Sequence, residues 1–199
     1  MNEERWDNLI KAINDCNQCP LGSQRTHPVI GEGSLDADIM FIGEAPGHNE
    51  DRQGIPFVGR AGKILDKLLA HINLKREDVF IANILKCRPP GNRNPQKNEV
   101  ESCTPFLDAQ IEIVQPKLLV PLGNFSYRYL LSKYNVSHDK ISTDHGKVFK
   151  KQTLTETLYI FPMYHPAVAT YNPNQLSVLI KDFEVLDSYL HQQVMNIQG

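Results

Sequence analysis

The sequence predicts an α/β fold in which a mostly parallel, four-stranded sheet lies between helical layers. Three observations predict it. Four short apolar runs, at 39–42, 79–85, 117–122 and 158–162, have the length and continuity of strands covered on both faces. The stretches between them carry apolar residues at helical spacing. Strand and helix then alternate along the chain, the order of βαβ units. A length of 199 residues allows one domain with a sizeable core, and the expectation is a single domain over 1–199. The sequence has no internal repeat, low-complexity tract or linker.

Trp6, Leu9, Ile10 and Ile13 recur at helical spacing and predict a short amphipathic helix that runs into Cys16-Asn-Gln-Cys19-Pro20. Residues 21–37 read as an irregular lead-in. The Gly31-Glu-Gly33 within it is not a dinucleotide fingerprint, because a third glycine is missing and the motif precedes a strand. The first strand stops in Gly43-Glu-Ala-Pro-Gly47, followed by Glu50 and Asp51. Ligands sit at the carboxyl ends of strands in open parallel sheets, so this acidic turn is a candidate site floor. Gly62-Lys63 is not a phosphate loop: the upstream glycine is absent, and Ile64 stands where Ser or Thr would hold a metal. Ile64, Leu65, Leu68, Leu69 and Ile72 instead mark one face of a helix.

The second strand carries an out-of-place amide, Asn83, and leads into the rigid basic loop Cys87-Arg-Pro-Pro-Gly-Asn-Arg-Asn-Pro95. Asn94-Pro95 reads as an N-cap followed by a first-turn proline, opening a helix that contains Cys103 and ends near Gln115. Gly123-Asn124 starts a helix after the third strand. Residues 135–156 are polar, with a short edge strand expected at 146–149. The fourth strand ends at Tyr164-His165-Pro166. Asn172-Pro173 repeats the helix-start chemistry, and Leu176, Leu179, Ile180, Phe183, Leu186 and Leu190 form the last buried stripe.

A net charge of −2 argues against a general nucleic-acid coat while leaving room for a local basic patch. No apolar stretch approaches the length of a membrane span, and the N-terminus has no apolar signal core. The expectation is a cytoplasmic protein. The four cysteines fall into two pairs, Cys16-x2-Cys19 and Cys87-x15-Cys103. In such a compartment they read as metal ligands or redox groups more than disulfides, a redox dithiol at Cys16-x2-Cys19 being the weaker option. Four thiolates suit zinc and an iron–sulfur cluster equally, and spacing does not choose between them.

In a parallel sheet the strand ends deliver Gly43-Glu44, Asn83, Gly123-Asn124 and Tyr164-His165 to one rim. A carboxylate, an amide and an imidazole there make a pocket able to read a planar heteroaromatic ring, with Phe57 as a stacking face. Taken singly, Asn83 and Phe57 are better read as structural residues, and Glu50-Asp51 as a solvated turn. Only their coincidence favours a site. Lys86, Arg88, Arg93 and Lys97 cluster at the proline-rich loop, and Lys147, Lys150 and Lys151 form a second group. Beside a ring-binding rim such cations would grip phosphates.

These residues carry a resemblance. Gly43-Glu-Ala-Pro-Gly-His-Asn-Glu50-Asp51, Pro56-Phe-Val-Gly-Arg-Ala-Gly62, Asn83-Ile-Leu-Lys-Cys-Arg-Pro-Pro90 and His165-Pro-Ala167, with the cysteine spacing, resemble the family 4 uracil-DNA glycosylases over nearly the whole chain. The resemblance implies a three-layer α/β/α fold and a [4Fe-4S] cluster on Cys16, Cys19, Cys87 and Cys103, with zinc the lesser option. It implies a DNA repair enzyme that flips uracil from DNA, single- or double-stranded, hydrolyses its N-glycosidic bond and leaves an abasic site. By position, Gly43, Glu44 and Ala45 would line the uracil pocket, and Phe57 would stack on the base. Asn83 would read its polar edge, His165 would lie at O2, and Glu50 would stand near C5. Glu44, Asn83 and His165 are the candidate catalytic residues; Lys86, Arg88 and Arg93 are the candidates for the DNA backbone. A nucleoid-associated monomer is expected.

Two departures stand out. Classical uracil-DNA glycosylases place a water-positioning aspartate in the first motif, where this chain has Ala45. Glu44, Glu50, or leaving-group stabilisation with little help from a base are the alternatives. The Leu-Arg that commonly precedes Asn-Pro after His-Pro-Ala is Thr170-Tyr171 here. The competing function is a non-catalytic, metal-stabilised DNA-binding protein of the same fold.

Overall fold

The structure, a computed structural model, describes residues 2–153 and 157–197. Among these, six strands form one sheet: β1 (Glu32–Gly33), β2 (Ile39–Gly43), β3 (Phe80–Asn83), β4 (Leu118–Pro121), β5 (Phe149–Gln152) and β6 (Thr157–Ile160), in the order β1-β3-β2-β4-β6-β5. The four expected strands are its parallel centre. An antiparallel strand is added at each edge, β1 on β3 and β5 on β6. Neither edge strand has an apolar run to announce it. β1 is two residues inside the supposed lead-in. β5 lies three residues beyond the expected 146–149 start and alternates exposed lysine and glutamine with half-buried positions. Residues 154–156, at the end of the same polar tract, lie outside the described residues.

The helices are α1 (Asn2–Asn14), α2 (His48–Gln53), α3 (Arg60–His71), α4 (Lys97–Val114), α5 (Asn124–Lys133), α6 (Ile141–Asp144), α7 (Val168–Tyr171) and α8 (Gln175–Ile197). Their apolar stripes fill two cores, one on each face of the sheet. On one face Ile39, Phe41, Ile81, Leu118 and Val120 meet Leu65, Leu68 and Leu69 of α3 and Leu179, Phe183 and Leu186 of α8. On the other, Met40, Ile42, Phe80, Ala82 and Leu119 meet Leu107 and Ile111 of α4 and Tyr127, Leu130 and Leu131 of α5. The alternation along each strand sends neighbours to opposite faces, and both faces are covered, which gives three layers. Leu176, expected in the α8 stripe, is exposed, because the stripe only reaches the sheet one turn later.

α4 begins two residues after the expected proline. Gln96 is its N-cap, in a capping box with Glu99, and Pro95 packs as a buried residue just outside. α2 and α7 are single short turns too brief for a periodic signal. Because β3 and β4 lie on opposite sides of β2, the order in which strands are added reverses about β2 and opens a crevice at its carboxyl end.

Candidate functional site

The register places the candidate residues together. Gly43 and Asn83 are direct partners at the ends of β2 and β3. Beyond β4, Leu122 bridges Met163 in parallel, and the Gly123 amide donates to the Met163 carbonyl at 2.9 Å, which brings His165 to the same rim. A cleft of about 520 Å³ opens there. Glu44, Ala45, Glu50, Phe57, Asn83 and His165 all line it, joined by Asn49, Arg60, Asn92 and Arg93.

Asn83 is only 2 % exposed, yet its Oδ1 has no hydrogen-bond partner among the described residues. Buried polar atoms are normally satisfied, so an orphaned acceptor in a cleft wall is an invitation to a donor from outside. Gly43 makes room for it. A Cβ there would stand 2.3 Å from Asn83 Oδ1 and 2.7 Å from the Phe57 ring.

Phe57 stacks on His165 with ring centroids 5.5 Å apart and an interplanar angle of 23°. Its φ of 53° is a strained value for a bulky side chain, and the surroundings hold it there. Arg76 donates to the carbonyls of Phe57 and Pro56 at 3.0 and 2.5 Å. Glu50 Oε1 accepts from the amides of Val58 and Gly59 at 2.9 and 2.7 Å. The chain folds back so closely that a Cβ at Gly62 would lie 1.7 Å from the Phe57 carbonyl oxygen. Arg76 was not foreseen: it lies in a short helical turn nearly twenty residues away, with no motif around it.

His165 has a defined tautomer. The Ala167 amide donates to its Nδ1 at 3.1 Å, so Nδ1 is an acceptor and the proton sits on Nε2. Desolvation holds the imidazole down to about 4, with nearby Glu50 opposing the shift. The ring is therefore a neutral donor at ordinary pH. The Glu44 carboxyl is raised by desolvation alone, leaving it a stronger base than a solvated carboxylate. Asp51 does not join this acidic group. It turns inward and accepts from the Thr26 amide and hydroxyl at 3.0 and 2.7 Å.

The three expected DNA-backbone cations part company. Arg88 remains at the rim, bonded to Asn92 Oδ1 at 2.7 Å and facing His48 Nδ1 at 3.3 Å. Arg93 lines the cleft, but its charge is met by the buried Glu99 at 2.9 and 2.5 Å. Lys86 is a correction: it is 1 % exposed and cannot reach a phosphate. Its ammonium donates inward to the Asn83 carbonyl at 2.8 Å and to Gln110 Oε1 at 2.5 Å. Burial lowers it to about 8, with Cys103 and Cys87 pulling it back up. In the second lysine group, Lys150 and Lys151 lie on β5, at the opposite edge of the sheet from β1 and β3. Exposed Arg60 lines the cleft wall and was overlooked because it reads as an ordinary helix-start residue.

The four cysteines are all free and ring one second cavity, closed by Ile13, Leu21, Leu85 and Phe106. Arg25 Nη1 donates to Cys87 Sγ at 3.3 Å, and the Lys86 amide to Cys103 Sγ at 3.2 Å. Burial raises the Cys87 thiol and raises Cys103 to about 11. Among the described residues no three His, Cys, Asp or Glu side chains converge tightly enough to hold a single metal ion.

Comparison with known proteins gives consistent relatives. The Uracil DNA glycosylase superfamily profile matches residues 30–191. The chain is 44 % identical to a type-4 uracil-DNA glycosylase of Sulfurisphaera tokodaii, over 89 % of this chain and 81 % of the relative. It is 43 % identical to one from Saccharolobus solfataricus over 98 % and 91 %, and 40 % identical to one from Archaeoglobus fulgidus over 91 % of each.

Proposed function

The chain belongs to the type-4 uracil-DNA glycosylases, and from that premise we propose that its cleft receives a uracil extruded from DNA and hydrolyses the bond between base and sugar. The observation that carries this reading is the buried Asn83 Oδ1, unpartnered among the described residues, in a cleft also lined by His165 with its proton on Nε2. Uracil presents N3–H to such an acceptor and O4 to the amide NH2, and cytosine presents the opposite pattern. Phe57 closes one wall of the cleft, where a ring can stack on it. Glu50 is assigned to the C5 side; pinned by two backbone amides, it does not swing away to admit a methyl group.

Breaking the N-glycosidic bond leaves negative charge on uracil O2 and positive charge on the sugar. A neutral imidazole donating from Nε2 binds the anion more strongly than the neutral base, and so lowers the barrier. Ala45 offers no carboxylate, so leaving-group stabilisation carries most of the rate. Glu44, raised by desolvation, is the base that takes a proton from the attacking water. We assign Arg88, beside His48, and exposed Arg60 of the cleft wall to the phosphates. We read the protein as a monomer acting on uracil-DNA, single- or double-stranded, at the nucleoid.

We assign a [4Fe-4S] cluster to Cys16, Cys19, Cys87 and Cys103. Four thiols around a hydrocarbon-lined cavity, with cations beside two of them, fit it. A single zinc would need all four sulfurs drawn to about 2.3 Å of one point. When bound, the cluster would cross-link α1's exit to the β3 loop and α4. Yellow-brown protein with iron and sulfide supports the assignment; colourless protein with stoichiometric zinc refutes it.

The test of function is release of free uracil from a uracil-containing oligonucleotide, leaving an abasic site. Asn83→Ala should slow release roughly 10- to 100-fold, the equivalent of about 1–3 kcal/mol for a lost buried pairing. Equal rates for wild type and Asn83→Ala would remove the assignment of Asn83 as the base reader.

A further inference from the structure

Lys86 is a buried cation whose ammonium, among the described residues, meets neutral oxygens: the Asn83 carbonyl and Gln110 Oε1. A buried charge without a counter-charge is costly, and proteins retain one only where something of opposite sign stands near. Here the thiols do. Lys86 lines the cysteine cavity, precedes Cys87, and donates its own amide to Cys103 Sγ at 3.2 Å. Arg25 approaches Cys87 Sγ from the outer side of the same cavity. Four thiolates around a core of smaller positive charge leave the centre net negative.

Resting on the cluster assignment above, we propose that Lys86 is the internal counter-cation of the cysteine-held cluster and a positioning residue for the uracil-reading end of β3. One ammonium has two duties. It balances the thiolate charge on the cavity side, and by bonding the Asn83 carbonyl it closes the 83–86 turn from which the Asn83 amide projects. Gln110 completes the arrangement. Its Oε1 receives the ammonium while its Nε2 donates to the Ile30 carbonyl at 2.7 Å, which fixes the amide's orientation.

The experiment compares holoprotein of the wild type with Lys86→Met, Lys86→Arg and Gln110→Glu. Removing a positive charge near a cluster disfavours reduction. Lys86→Met should displace the reduction potential to more negative values in film voltammetry and lose iron to a chelator several-fold faster. Lys86→Arg, which keeps the charge, should restore both toward wild type. Gln110→Glu sets a carboxylate on the ammonium and cancels its charge in place. It should move the potential in the same direction as Lys86→Met, and it keeps the test open if Lys86→Met does not fold. Wild-type potential and chelator lifetime in Gln110→Glu and in any folded Lys86→Met overturn the proposal alone. Wild-type protein lacking iron and sulfide overturns the cluster assignment and this inference together.

Discussion

His165 shows how one side chain acquires a function from two neighbours. The Ala167 amide claims Nδ1 as an acceptor, and desolvation keeps the ring neutral down to about 4. A pH dependence follows. The folded value lies below the ordinary 6.5, so between 6.5 and about 4 the unfolded chain binds the proton first. The stability contributed by neutral His165 is complete above 6.5 and is lost as the pH falls through the folded value. In single-turnover assays the wild type should show no loss of rate attributable to an imidazole between pH 8 and roughly 5. A rate that falls with a midpoint near 6.5, in a protein still folded by circular dichroism, would contradict a neutral donor.

At the scale of elements, the site depends on short pieces that hold larger ones. α2 is a six-residue helix with Gly47 before it and Gly54 as a left-handed cap behind it, and it carries two carboxylates facing different ways. Asp51 ties it to Thr26 in the lead-in, and Glu50 ties it to the amides of Val58 and Gly59. Glu50 thus fixes the loop that presents Phe57 and opens α3. Glu50→Ala strands both amides and should destabilise the fold by about 1–3 kcal/mol. It should also slow uracil release more than it weakens DNA binding. Thermal unfolding and a binding titration read the two effects separately. The start of α4 obeys the same logic: Glu99 caps the Gln96 amide at 2.8 Å and binds Arg93, so the basic loop is fastened to the helix that carries Cys103.

Across the whole molecule, the cores and the cysteine cavity divide the labour. Phe41 and Phe183, stacked 5.9 Å apart, lie in the core that joins the sheet to α3 and α8. The opposite core is closed by α4 and α5. The segment containing Cys16 and Cys19 shares much less of this. α1 packs Leu9 and Ile13 against Ile113 of α4 and sets Trp6 edge-on to Phe80 at 5.5 Å. Stripping iron from the holoprotein should therefore loosen residues around 14–26 first and leave the central strands protected. Hydrogen exchange measures this directly. Uniform loss of protection on chelation would show instead that the cluster organises the entire fold.

The sequence by itself determined the four central strands, the long helices and the motifs of the rim. Burial on both faces demands unbroken apolar runs, and one-sided packing demands helical periodicity; both are written in local order. The same was true of Glu44, Asn83 and His165 in the cleft wall, because a parallel sheet sends every strand end to one side, whereas Asn49, Arg60 and Asn92 gave no such signal. The tertiary structure alone decided what those side chains do. Lys86 looked like a phosphate ligand until the fold enclosed it, since a lysine's sequence neighbours do not reveal whether its ammonium meets water. Asp51 and Glu50, adjacent in the chain, face different partners because successive helical positions point in different directions. Arg76 supports Phe57 across a distance that only chain folding closes. The edge strands and the short α2 and α7 were illegible for a related reason: too few residues are buried in them to leave a pattern, and long-range contacts hold them in place.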